Sequence, residues 1–144
     1  MNCSQNIDEL IDAPFFTLKG RECDGKIVRV TDGDTVHALM DLDGKVYKWK
    51  CRIAHVDTPE LHSRDETEKR HATNARDRLS ELILGRTVRV KCSSFDMYGR
   101  VLVELTVPCT ETTEEIVVHE WLLRNGLALP YEGKTKQKWV FTDR

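Results

Sequence analysis

Hydrophobic and polar residues alternate along several short stretches of this chain, and a period of two predicts β-strands. The clearest case is residues 35–42, where the apolar positions share one face: Val36, Ala38, Met40 and Leu42. Asp43-Gly44 follows and predicts a hairpin turn, because Gly supplies positive φ and Asp tolerates it. Further strands are predicted at residues 26–30, 45–56, 87–92 and 101–107, with a brief extension at 116–118.

The predicted third strand, residues 45–56, has two faces of opposite character. One face is expected in the core and carries Tyr47, Trp49, Cys51 and Ile53. The other face carries Lys48, Lys50 and Arg52. A solvated strand face is the ordinary explanation of such a row, and a phosphate-facing stripe is the alternative.

Two helices are predicted. Residues 66–84 place Ala72, Ala75, Leu79, Leu82 and Ile83 at helical spacing, with acidic residues in the first turn and Gly85 as the stop. A shorter helix carries Trp121, Leu122 and Leu123 and ends at Asn125-Gly126.

The two ends of the chain lack sustained periodicity. Residues 1–19 are interpreted as an arm that packs through Phe15 and Phe16. Residues 133–144 are basic and aromatic, and the row Lys134, Lys136 and Lys138 is interpreted as a frayed tail.

Five short strands with a helix between the third and fourth predict an α+β, mainly β fold, a five-stranded OB-fold barrel with two or three packed helices. A chain of 144 residues is close to the commonest size of one domain. The barrel domain is expected to span residues 20–132.

Composition narrows the functional classes. The formal charge of −2, from 22 basic and 24 acidic side chains, disfavours a generally basic nucleic-acid coat but allows a nucleic-acid substrate held in one cleft. Five scattered cysteines without a Cys-x-x-Cys pair, and no visible signal peptide, predict an intracellular protein. No apolar run approaches the ~18 residues of a membrane span, so no membrane partner is expected.

Two aspartates flank predicted strands and could hold a hard cation. Asp34 begins the second strand and Asp57 ends the third. With the backbone carbonyl of Thr58 they would offer the oxygen ligands that Ca²⁺ takes, and so few protein ligands predict weak binding, on the order of 10⁻⁴–10⁻³ M. Either aspartate alone is more simply an ordinary turn residue.

Three more side chains complete a phosphodiester-cleaving set. Glu60 could orient or deprotonate a water, or could instead cap the turn after Pro59. Arg52 and Arg100 could each grip a phosphate with a guanidinium fork, or form surface ion pairs.

Four blocks of the sequence, taken in order, closely resemble the staphylococcal nuclease (thermonuclease) family. They are residues 30–36 (Val-Thr-Asp-Gly-Asp-Thr-Val), Arg52 with residues 56–60 (Val-Asp-Thr-Pro-Glu), residues 98–100 (Tyr-Gly-Arg) and residues 123–128 (Leu-Arg-Asn-Gly-Leu-Ala). The resemblance implies an OB barrel and Ca²⁺-dependent cleavage of DNA and RNA that leaves 3′-phosphates.

The resemblance also implies roles for individual residues. Asp34 and Asp57 would bind calcium through their side chains, and Thr58 through its carbonyl. The resemblance makes Glu60 the water-positioning residue, and Arg52 and Arg100 the arginines that stabilise the transition state. Tyr98 and Tyr131 would bind substrate.

The chain departs from the family pattern in several places. Met97 stands where the best-known member has a lysine, and residues 108–115 form a longer and more acidic loop. Only 18 residues follow Gly126, so the usual C-terminal helix is expected to be short, altered or absent.

The sequence therefore predicts a calcium-dependent nuclease, a monomer with no obligate protein partner, that prefers single strands because the attacked phosphate must enter a cleft. One alternative is a nuclease-like binding module without turnover, in which the acidic and arginine positions are usually eroded. Another is an OB-fold domain that binds a protein partner. A zinc site from His55, His62, His71 and Cys51 is disfavoured because their spacing matches no common pattern.

Overall fold

The computed structural model describes residues 6–141, and eight strands and two α-helices follow a short 3-10 helix at Ile7–Leu10. In chain order these elements are β1 (Glu22–Asp32), β2 (Thr35–Leu42), β3 (Lys45–Ile53), β4 (Val56–Asp57), α1 (Glu66–Ile83), β5 (Thr87–Phe95), β6 (Val101–Val107), β7 (Ile116–Val117), α2 (Val118–Arg124) and β8 (Leu129–Pro130).

Five strands close into a mixed barrel. β1 pairs antiparallel with β2 and with β5, β2 pairs with β3, and β5 pairs with β6. A parallel pairing of β3 with β6, in which Cys51 is opposite Val101 and Ile53 is opposite Val103, completes the circle. The predicted α+β, mainly β, OB-type barrel is confirmed.

The barrel interior is filled by one face of each strand. On β6 the alternation is complete, with Val101, Val103, Leu105 and Val107 all buried. Fully burying side chains of this size stabilises the fold by roughly 1.5–3 kcal/mol each. The same interior holds the buried side chains of β2, so the period of two that is visible in the sequence records the direction of the core.

The longer helix, α1, covers the barrel beside β1. Asp65 accepts hydrogen bonds from the backbone N–H groups of Thr67 and Glu68 and so caps the first turn. Its apolar stripe is buried and consists of Ala72, Ala75, Leu79 and Ile83. Neither helix in the described part of the chain has the length and apolarity needed to cross a membrane.

The third strand is shorter than predicted. It ends at Ile53 rather than residue 56, because His55 adopts φ 73°, a left-handed conformation that a strand cannot contain. The chain then resumes extended structure as β4, which pairs with β8 outside the barrel. β1 is longer than predicted, because Glu22 to Lys26 pairs with residues 87–91, and β5 continues to Phe95, which pairs with Val101 of β6.

One predicted core position is wrong. Tyr47 is 56% exposed, because the hairpin end of β3 is uncovered and residues 45–48 are all exposed. Of the N-terminal aromatic pair, Phe15 is fully exposed, whereas the Phe16 ring lies 6.1 Å from the ring of Phe95.

Cysteines contribute no crosslink in the described residues: Cys23, Cys51, Cys92 and Cys109 are free, and Cys3 lies outside that part of the chain. Burial raises the pKa of Cys51 to about 12 and that of Cys92 to about 11. Both core thiols are therefore protonated and unreactive in the folded protein.

The C-terminal segment is not frayed over its described length. Residues 131–141 contain no helix or strand. The segment is nevertheless anchored, because Phe141 is buried and its ring stacks on His71 at 4.4 Å and on Trp139 at 5.5 Å. The arm and tail extend into residues 1–5 and 142–144, which lie outside the described part.

Candidate active site

Asp34 lies at the start of β2 with its carboxylate turned inward, and the residue is only 8% exposed. Its Oδ1 accepts a hydrogen bond from Thr35 Oγ1 at 3.1 Å, and its Oδ2 accepts one from the backbone N–H of Thr58 at 3.4 Å. The backbone N–H of Ile53 also donates to the Asp34 carbonyl at 2.8 Å. These bonds tie the β1–β2 turn to the end of β3 and to the segment after β4.

A glycine permits this close approach. A Cβ atom at Gly33 would lie 3.0 Å from Ala75 Cβ and 3.1 Å from Thr58 Cβ. An alanine there would require Ala75, Thr58 or the turn to move by a few tenths of an ångström, so glycine fits this close contact without strain. The Asp-Gly-Asp sequence of the turn sets the position of Asp34 as well as the chain reversal.

Asp57 ends β4 and is 6% exposed. Arg52 bridges the two aspartates: its Nη2 lies 3.3 Å from Asp34 Oδ2 and 3.7 Å from Asp57 Oδ1, while its Nη1 donates to the Ile53 carbonyl at 2.6 Å. Arg52 is 8% exposed, so the ordinary reading of its strand face as solvated is wrong at this position. Lys48 and Lys50 on the same face are exposed.

Arg100 joins the group from the turn between β5 and β6. Its Nη1 donates to Thr35 Oγ1 at 3.4 Å, and that hydroxyl in turn donates to Asp34. Its Nε donates to Asp96 Oδ2 at 2.7 Å. The two arginines and two aspartates of the predicted site are thus joined by one continuous set of polar contacts.

Asp96 holds the Arg100 turn and was missed in the sequence. Its Oδ1 accepts hydrogen bonds from the backbone N–H groups of Tyr98 and Arg100, both at 2.9 Å. Burial opposes ionisation of Asp96, but these hydrogen bonds and the Arg100 charge outweigh it and lower the pKa of Asp96. An Asp four residues before an Arg across a Tyr-Gly turn was the available signal.

Asp32 is a second missed acid in the β1–β2 turn. Its Oδ1 accepts a hydrogen bond from the backbone N–H of Asp34 at 3.3 Å. Burial first, and then the neighbouring Asp34 carboxylate, raise the pKa of Asp32 to about 7. Burial would raise the pKa of Asp34 too, but hydrogen bonding with Asp32 and the Arg52 charge lower it. Near neutral pH the two carboxylates therefore carry less than two full negative charges, because Asp32 keeps a proton part of the time.

An open cleft of about 570 Å³ runs beside these residues. Arg52 and Arg100 line it together with Tyr98 and Tyr131. Tyr98 is 75% exposed, with the Arg100 guanidinium 5.5 Å from its ring centroid. Both predicted substrate-binding tyrosines thus lie on the cleft that the arginines line.

Glu60 is exposed at the edge of the site, and its carboxylate and that of Asp57 both contact the ammonium group of Lys136. Lys136 Nζ lies 3.2 Å from Asp57 Oδ1 and 3.7 Å from Glu60 Oε1. Burial opposes the charge on Lys136, but the two carboxylates raise its pKa. The prediction that Lys136 belongs to a frayed tail is wrong, because the tail returns this ammonium group to the acids.

The sequence model of the family described as "Staphylococcal nuclease homologue" matches residues 50–141 of this chain. The match begins in β3 and includes Arg52, Asp57, Glu60 and Arg100. It therefore covers both arginines that line the cleft and the neighbouring acids Asp57 and Glu60, whereas Asp34 lies upstream of it.

Curated relatives agree with this match. A protein named "Probable endonuclease LCL3" from Yarrowia lipolytica is 29% identical over 142 residues, which cover 85% of this chain and 62% of the relative. An "Uncharacterized endonuclease" from Escherichia coli is 32% identical over 108 residues, 75% of this chain and 61% of the relative. The chain spans about three fifths of the length of these relatives.

Proposed function

Because this chain belongs to the staphylococcal nuclease homologue family, we propose that it is a calcium-dependent nuclease that hydrolyses phosphodiester bonds of DNA or RNA. The names of its relatives favour cuts within a strand. The observation that carries the proposal is the convergence of Asp34, Asp57, Arg52 and Arg100 beside one open cleft.

The acidic residues fit a hard cation. Asp34 and Asp57 lie within reach of the same Arg52 nitrogen, and the Lys136 ammonium group already lies between Asp57 and Glu60. Carboxylate oxygens are the donors that Ca²⁺ takes, and the Thr58 carbonyl is the proposed third ligand. When bound, Ca²⁺ would supply Lewis-acid polarisation of a phosphoryl oxygen.

The arginines supply the complementary positive charge. We assign Arg52 and Arg100 to the phosphate, where their N–H groups would stabilise the charge that develops on its equatorial oxygens. Asp34, Thr35 and Asp96 hold both guanidinium groups before substrate arrives, so little reorganisation is needed. This preorganisation is what makes charge stabilisation effective.

Glu60 is assigned to the water. Its side chain is 66% exposed, so it can hydrogen-bond a solvent molecule that approaches the phosphate. Tyr98 and Tyr131 are assigned to the substrate because both line the cleft, where their rings and hydroxyls would contact it. Single strands should be preferred, since they can bring a phosphate into the cleft and stack bases on exposed rings. The products would carry 3′-phosphates.

The test is cleavage of a single-stranded DNA oligonucleotide with Ca²⁺ or with a chelator. We expect cleavage only with Ca²⁺, loss of cleavage in Asp34→Asn, and ordinary cleavage in the exposed control Asp77→Asn. Product ends should carry 3′-phosphates. Absence of Ca²⁺-dependent cleavage of both DNA and RNA in the folded protein would contradict the proposal and favour the binding module without turnover.

A further inference from the structure

A second group of potential metal ligands contains neither of the aspartates, although its His55 lines the same cleft as Arg52 and Arg100. His55 lies in the turn before that strand, Glu104 on β6 and His119 in α2. One ligand atom from each lies within 4.8 Å of the others. Three separate elements of the barrel thus bring two imidazoles and one carboxylate together. The zinc residues considered from spacing, Cys51, His62 and His71, are not part of this group.

His55 is oriented as metal-binding histidines are. Its Nδ1 lies 2.9 Å from Glu132 Oε1 and 3.2 Å from Oε2, so this nitrogen donates its hydrogen to the carboxylate. The lone pair of the neutral ring is then on Nε2, which lies 3.8 Å from Glu104 Oε1. A carboxylate behind a histidine fixes the tautomer and raises the basicity of the ligand nitrogen.

One ring nitrogen of His119 lacks a hydrogen-bond partner among the described residues. This atom is Nδ1, and it is buried. The ring centroid of His119 lies 4.8 Å from that of His55, with the planes tilted by 50°. Buried polar atoms are nearly always satisfied, so an unsatisfied imidazole nitrogen beside a second imidazole and a carboxylate indicates an absent partner.

We propose that His55, Glu104 and His119 bind a transition-metal ion of the Zn²⁺ class. Two nitrogen donors and one carboxylate suit Zn²⁺ far better than Ca²⁺, which takes oxygen ligands. Three protein ligands leave a fourth position for water. Zn²⁺ bonds of about 2.0–2.1 Å require donor atoms roughly 3.4 Å apart, so donor atoms that lie up to 4.8 Å apart must approach one another by up to about 1.4 Å.

The site would fasten the C-terminal segment to the barrel. Glu132 holds His55 through its side chain, and the backbone N–H of Tyr131 donates to the His55 carbonyl at 2.9 Å. An ion on His55 therefore stabilises the segment that carries Tyr131 and, farther on, Lys136. The site differs from the aspartate pair in position and in ligand chemistry.

The test uses the 144-residue chain stripped with a chelator and titrated calorimetrically with ZnCl₂ alone. We expect one Zn²⁺ per chain. His119→Ala and Glu104→Gln should each weaken binding at least about 10-fold, and Glu132→Gln about 10- to 100-fold. The control His62→Ala changes an exposed histidine outside the group and should bind as the parent does. Asp34→Asn should also bind normally.

Several outcomes would overturn the site. Binding that survives His119→Ala and Glu104→Gln unchanged would come from elsewhere, such as the exposed Cys109. Binding lost in Asp34→Asn would belong to the aspartate pair. Absence of binding would leave a cluster of ion pairs only. Glu104→Gln conserves side-chain shape, so it removes the charged ligand with little change in packing. With Co²⁺ in place of Zn²⁺, the parent protein should give the visible spectrum of a tetrahedral site, and this variant should not.

Discussion

Arg52 makes contacts in two directions that a lysine at the same position could not make together. One of its terminal nitrogens donates to the Ile53 carbonyl, and the other faces both aspartates. Lysine would keep the charge but could not serve both directions, because its ammonium group is a single point.

We therefore predict that Arg52→Lys lowers kcat about 10²- to 10³-fold on a single-stranded oligonucleotide, the usual cost of one lost transition-state donor. The matched control is Arg76→Lys, since Arg76 lies on the exposed face of α1. Thermal unfolding of each variant checks that the fold is retained. Near-normal turnover in Arg52→Lys would contradict the role assigned to this side chain.

Asp96 sets a pH dependence. Because its pKa is lowered in the fold, its ionised form is the stabilising one. That stabilisation is complete above the ordinary Asp pKa of about 3.9 and is lost as pH falls through the lower folded value. We predict that the free energy of unfolding falls less steeply with acid in Asp96→Asn than in the parent. Urea unfolding between about pH 5 and pH 2 measures both slopes.

The Asp96 variant has a second expected result. At neutral pH it should be less stable by about 1 kcal/mol, because a charged acceptor of three hydrogen bonds is replaced by a neutral one. Equal acid slopes in parent and variant would show that other carboxylates account for the whole pH dependence.

Most of the predicted site residues are charged or aromatic side chains near a turn signal, and the exceptions are Thr58, predicted for its backbone carbonyl, and Arg52, which lies within a strand. Asp34, Asp57 and Arg100 were predicted from such motifs. Asp32, Asp96 and Lys136 were not, because their importance comes from contacts across the fold. The local sequence does not show that Asp96 will bind Arg100 or that Lys136 will contact Asp57.

At the scale of elements, the β1–β2 turn depends on the missing side chain of Gly33. Alanine would place a Cβ at about 3.0 Å from atoms of Ala75 and Thr58 that are fixed to their backbones. We predict that Gly33→Ala destabilises the protein by about 1–3 kcal/mol, the usual cost of overpacking. Chemical denaturation measures the loss.

Ala75→Gly provides the matched background, because it removes one of the two obstructing atoms. Gly33→Ala should cost less there than in the parent, and the difference is the coupling energy between the turn and α1. Additive costs would mean that the turn does not press on the helix.

Strands and helices with complete periodicity were predictable, and their ends were less so. The observed ends of β2 and β6 coincide with the ends of the alternation of apolar and polar residues, because one face of each strand lines the barrel interior along its whole length. β3 was extended too far because nothing in its sequence announces the left-handed His55. Tyr47 was assigned to the core because alternation gives the face but not where the covering layer stops.

At the scale of the whole molecule, the tail controls access to the acids. Lys136 neutralises Asp57 and Glu60 across the space that a cation would enter. We predict that Lys136→Ala tightens Ca²⁺ binding about 2- to 5-fold. The factor is small because the lysine side chain is 51% exposed, and such a pair contributes roughly 0–1 kcal/mol. Calorimetric titration with Ca²⁺ measures it without reference to catalysis.

Lys134→Ala serves as the control, since it removes the same charge from the same tail at an exposed position. Its Ca²⁺ affinity should stay near that of the parent. If both variants tighten Ca²⁺ binding equally, the effect comes from net charge, and the Lys136 ammonium group does not compete with Ca²⁺ for the carboxylates.

The parallel pairing of β3 with β6 also has a kinetic consequence. Cys51 and Val101 meet across a loop of about 50 residues, and long loops close late and slowly. Arg52 lies on β3, and Arg100 lies in the turn immediately before β6, so this closure brings the two arginines together. If the proposed nuclease activity depends on both arginines, it would return during refolding only after β3 and β6 have paired, and its recovery would report that pairing.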